Sequence, residues 1–100
     1  MNIACLLAMP RARGLFKRAI LQSGSLNLTR TPEAALESTR QMLKELGVPP
    51  EKAHTLRDLP AEDLVKAQNA VAGRSVVPPF SPVADGDVIL FGADRAKVVN

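Results

Sequence analysis

MNIACLLAMPRARGLFKRAILQSGS, residues 1–25, is the stretch on which the reading of the fold turns. Residues 1–9 are apolar at every position except Asn2, so a helix built from them has no wet face and is expected to be enclosed on all sides. Pro10 cannot continue it. The run Ala19, Ile20, Leu21 lies between Lys17–Arg18 and Ser23–Gly24, the pattern of a short strand inside a parallel sheet, both faces covered. A helix feeding such a strand is half of a crossover unit, and its first strand is missing from the sequence. Between the two, Gly14, Leu15 and Phe16 make a turn, with Lys17 and Arg18 left in water. Ligands of open α/β sheets bind beyond the carboxyl ends of the strands, so the serine-rich end at Ser23 and Ser25 is where a site is expected.

Outward from that stretch the pattern becomes helical. Thr31, Pro32 and Glu33 supply a cap, a first-turn proline and an early acid for a helix that runs to Leu46. Leu36, Thr39, Leu43 and Leu46, with Ala35 and Met42 beside them, form its apolar stripe. Gly47 is its left-handed stop, and Pro49–Pro50 forbid continuation. A short helical turn over 51–57 follows. The next helix opens at Leu59, Pro60, Ala61, Glu62 and Asp63, presents Ala61, Leu64, Ala67 and Val71 on one narrow face, and ends at Gly73. From Val76 prolines and β-branched residues favour extended chain, and Asp85–Gly86 is a hairpin signal between 82–84 and 87–90. The expected organisation is a core helix plus strand over 1–25, a helical excursion over 31–73 and an extended hairpin segment over 76–90.

Four pieces of sequence, in order, carry a resemblance. LLAMP-x-ARGLF-x-RAILQSGS at 6–25, T-x-EA from Thr31, L-x-x-LPAEDL from Leu56 to Leu64 and PF-x-PVADGDV from Pro79 to Val88 resemble the segment that directly follows the nucleophile in type B carboxylesterases. That family, which includes para-nitrobenzyl esterases and cholinesterases, has the α/β-hydrolase fold. The resemblance implies an internal fragment of such a fold. Its G-x-S-x-G elbow, where a strained strand-to-helix turn exposes the serine, would end just before Met1, and the acid and histidine would lie beyond Asn100. No catalytic residue of the triad would then fall within the 100 residues.

Ser23 is the one residue to which the resemblance gives a role. In the family the serine of this Q-S-G lies behind the triad and hydrogen-bonds the catalytic acid, which needs donors to stay ionised and aimed at its histidine. A serine that merely caps the end of the strand fits the residues equally well. Residues 25–31, from Ser25 to Thr31, would border the acyl side of the pocket. The implied activity of the intact enzyme is hydrolysis of small carboxylic esters through an acyl-enzyme, with no cofactor, and the chain by itself would be inactive.

Composition narrows the alternatives. With 46% hydrophobic residues, no Trp, no Tyr and three Phe, the chain is too apolar for disorder but relies on aliphatic packing. Residues 1–30 hold five of the 13 basic residues and no acid. Arg11, Arg13, Lys17 and Arg18 have only Phe16 as aromatic company, so a solvated loop is the expectation and a nucleic-acid interface is not. The apolar run of nine is too short to span a membrane and precedes its positive charges, the reverse of a signal peptide. Cys5, the single cysteine, sits inside that run as a small hydrophobe.

Ser23, His54 and Asp58 could be assembled on paper into a nucleophile, base and orienting acid, but Ser23 lacks an elbow and His54 stands among Lys52 and Arg57. Asp85 and Asp87 lack the further oxygen ligands and closing Glu of a calcium loop, so no metal is expected. A reading from a different class is a small helical binding module that uses its apolar N-terminal helix to hold a partner. Either way, uncovered apolar surface would make the isolated chain prone to self-association.

Overall fold

The computed structural model describes residues 1–23 and 29–90, which divide into two compact units: Met1–Pro32 with the chain from Ser81 onward, and Glu33–Phe80. In the first unit, helix α1 spans Asn2–Ala8. Its first turn closes by the Cys5 N–H donating to the Met1 carbonyl at 3.0 Å, with no side-chain cap. A single 3-10 turn, Pro10–Ala12, follows, as the proline requires. Ala4, Cys5, Ala8 and Ala12 are buried, but Ile3 and Leu6 remain 44% and 43% exposed. The all-round enclosure expected of this helix is therefore not met: one face is packed and the other is bare.

The expected strand at Ala19, Ile20 and Leu21 is also absent. These residues are irregular and exposed, and no strand forms anywhere among the described residues. The physical reason is that a strand in a parallel sheet exists by bonding to neighbours on both sides. Among the described residues none forms a β-bridge with 19–22. The α/β description thus fails in its strand and survives in its helices.

One pairing does occur. Arg30 and Val83 form an isolated parallel bridge, with the Arg30 N–H donating to the Pro82 carbonyl and the Ala84 N–H to the Arg30 carbonyl, both at 2.9 Å. It closes the chain three residues before the second unit starts and three after that unit ends. The expected hairpin at Asp85–Gly86 does not form. Gly86 has φ +83 and its N–H donates to the Ile89 carbonyl at 3.0 Å, but the chain then fails to return along 82–84. Instead the Asp85 carboxylate collects the next backbone donors, an alternative to ladder bonding that short acidic side chains offer.

The second unit is helical. Helix α2 spans Pro32–Leu46, a 3-10 segment covers Pro50–Asp58, kinked at Lys52, and helix α3 spans Ala61–Gly73. Helix α2 ends as the sequence suggests. Gly47, at φ +65, lets its own N–H reach the Lys44 carbonyl at 3.2 Å and the Val48 N–H reach the Leu43 carbonyl at 3.0 Å, satisfying two carbonyls that a helix end leaves open. Leu43, Ala67 and Val71 are buried, the last completely. Of the other expected stripe residues, Leu36 and Thr39 are exposed, and their place in the packed face is taken by Ser38. That hydroxyl is tolerated inside because it donates back to the Ala34 carbonyl at 3.3 Å. Outside the unit's packed faces, Lys66–Glu62 at 3.0 Å and the pair Arg74–Glu45 link exposed side chains.

Candidate functional site

The expected site lies at the end of the 19–23 run. Ser23 is exposed and stands at φ +56, and it is the sole non-glycine residue with positive φ among the described residues. An L-residue held there costs on the order of 1–3 kcal/mol, and such residues cluster where structure serves function. Leu21 and Gln22, just before it, border a depression of about 280 Å³ together with Met1, Asn2, Ile3 and Ala4. The run therefore ends against the first turn of α1. Gly24 and Ser25, like most of the 25–31 segment expected to border an acyl pocket, lie outside the described residues.

On the other face of α1, Ile3 and Leu6 combine with Phe16, Arg18, Ala19 and Ile20 around an open apolar groove of about 510 Å³. The Cys5 thiol is buried and unpaired with any other sulfur. No group of three or more His, Cys, Asp or Glu suited to a metal occurs among the described residues, and no helix there is long and apolar enough to cross a membrane.

Ser23 belongs to the first unit, while His54 and Asp58 are exposed on the 3-10 segment of the second and make no hydrogen bond or ion pair with each other. Asp85 and Asp87 do not converge on a cation site either. Asp87 stands 3.9 Å from Arg11, both side chains largely in water. Asp85 turns inward on its own backbone, its Oδ1 accepting from the N–H groups of Asp87, Val88 and Ile89 at 3.0, 2.9 and 3.0 Å. The donor of Ile89, then that of Asp87, holds this carboxyl below the usual carboxylate range. Its organising role escaped the sequence reading, which took Asp85–Gly86 for a two-residue hairpin turn. The signal that distinguishes the two is the absence of alternating apolar residues on both sides of the pair.

Comparison with known proteins decides the family. The family model described as the Carboxylesterase family matches residues 1–97. This chain belongs to the carboxylesterase family. The carboxylesterase chain is 45% identical over 67 residues to the para-nitrobenzyl esterase of Bacillus subtilis strain 168, covering 67% of itself and 14% of that relative. It is 39% identical over 92 residues to the juvenile hormone esterase of Heliothis virescens, covering 84% of itself and 16% of the relative. Among solved structures it is similar to the Geobacillus stearothermophilus carboxylesterase EST55, with a TM-score of 0.74 and 41% identity over 87% of this chain and 18% of that one. The helices described above are thus those of one part of an α/β-hydrolase, and the carboxylesterase chain spans less than a fifth of the length of these relatives.

Proposed function

We propose that this chain is a segment of a serine carboxylesterase that cleaves small carboxylic esters, and that it supports the chemistry without carrying it. The observation behind this reading is the continuous family match over 1–97 in a chain that spans only 14% to 18% of its relatives. In the complete enzyme a serine hydroxyl attacks the ester carbonyl, a histidine takes its proton and passes it to the leaving alcohol, and water then releases the acid from the acyl-enzyme. Serine, histidine and acid would come from outside residues 1–100. Ser23 would stand behind the acid and donate its hydroxyl proton to the carboxylate, keeping it ionised and aimed. The positive φ at Ser23 marks the position but fits a capping serine equally well, and the kinetics of Ser23→Ala separate the two roles. The bare side chains of Ile3, Leu6 and Ile20 would be covered by the rest of the enzyme, and without it the chain would self-associate.

The test compares two forms. Residues 1–100 alone are expected to turn over p-nitrophenyl acetate no faster than a denatured control, whereas a complete enzyme carrying them is active. In that enzyme Ser23→Ala is expected to lower kcat about ten- to a hundredfold, the loss of one hydrogen bond to a charged group, with KM nearly unchanged. Ser23→Gly should lower kcat as far while raising Tm, because glycine accepts the positive φ without strain. An unchanged kcat in both variants removes Ser23 from the machinery, and saturable turnover by 1–100 alone overturns the reading as a whole.

A further inference from the structure

The bridge between Arg30 and Val83 is two backbone hydrogen bonds in otherwise irregular chain, too little by itself to order the residues on both sides of it. Something must hold its two segments still. On the side of Val83 the chain is stiffened at one end by Pro82, whose ring fixes φ. At the other end Ala84, only 3% exposed, donates into the bridge and is followed at once by Asp85. That carboxylate gathers three successive N–H groups onto a single oxygen, and Gly86 adds the bond to the Ile89 carbonyl, so 85–89 is closed by four bonds within five residues. Asp87 is no rival fastener, because its pairing with Arg11 spans 3.9 Å between exposed side chains and contributes little.

We infer that Asp85 is a positioning residue: by closing the 85–89 turn it holds residues 82–84 against Arg30 and thereby fixes where the chain runs at 29–31. Its effect on catalysis rests on the esterase reading, in which 25–31 borders the acyl side of the pocket. Asp85 never touches substrate. It acts through the bridge, and the bridge sets the path of 29–31, the end of the segment that the esterase reading places beside the acyl group.

Amide hydrogen exchange on the 100-residue chain tests the inference without reference to activity. The unaltered chain should protect Arg30 and Ala84 as well as Asp87, Val88 and Ile89. Asp85→Ala should cut protection roughly tenfold at all five amides and leave the helices at Leu43 and Val71 as they were. Asp85→Asn, which keeps an acceptor oxygen, should retain most of it, and Asp87→Ala should change nothing at Arg30 or Ala84. Loss confined to 87–89, or no protection at Arg30 and Ala84 in the unaltered chain, overturns the inference. In a complete enzyme Asp85→Ala should raise KM for long-acyl esters several-fold and leave kcat for an acetyl ester unaltered, while a drop in kcat for both esters points to general unfolding and overturns the positioning role. If no enzyme carrying this segment hydrolyses esters, the esterase reading falls and the exchange result stands by itself.

Discussion

The helices α2 and α3 and the 19–22 run use similar apolar residues to opposite effect. In α3 the branched side chain of Val71 is wholly enclosed, whereas in the 19–22 run Ile20 is 76% exposed. Helices satisfy most of their own backbone, so α2 and α3 need only an apolar face turned inward to make a small core. The 19–22 run has no such independence, because an extended segment must find its bonding partners elsewhere. A short stretch of chain can therefore keep helices and lose a strand while both have ample hydrophobicity.

That contrast can be broken most sharply in its packed half. Leu43→Ala is expected to destabilise by about 2–5 kcal/mol through lost burial and the cavity left behind, read as a fall in Tm. The matching change in the bare half, Ile20→Ser, should stay within about 0.5 kcal/mol in this chain while reducing the binding of a hydrophobic dye. Equal effects would mean that the 19–22 run is as well packed in solution as α2. Gly47→Ala probes the helix stop between these extremes. A Cβ there meets no atom within 4 Å, so its cost, about 1–2 kcal/mol, is that of the positive φ alone.

The smallest expected effect is that of acid on Asp85. Its folded carboxyl is held below the unfolded value of about 3.9, so the stabilisation it contributes is complete above that pH and is lost as pH falls toward the folded value. The amide shifts of Val88 and Ile89 should move together below about pH 4, and Asp85→Asn should flatten that movement. A titration at the ordinary aspartate value would show that the three donors do not hold the carboxylate in solution.

What the sequence made legible follows the same division. Pro32, Gly47, Pro60 and Gly73 mark the helices within a residue or so, because starts and stops are local chemistry. Ser38 was not legible as a core residue, since nothing in its type reveals the bond to Ala34 that lets it be buried. Ile20 and Leu21 read as strand, and Asp85–Gly86 as hairpin, because both patterns assume a partner that the residue string does not name. Ser23 was legible as a position of interest. Its left-handed backbone was not, because serine rarely adopts it and only the surrounding fold can impose it.

The Arg30–Val83 bridge carries one more consequence. If the 85–89 turn holds that bridge, as inferred for Asp85, the two ends of the loop it closes are held from outside the loop and not by the loop's contents. Loop closure grows only logarithmically with length, each doubling adding about 0.6 kcal/mol. On that inference residues 33–80 are expected to be replaceable, and protection of the Arg30 and Ala84 amides in a chain with a different run of helices spliced in at the bridge measures it.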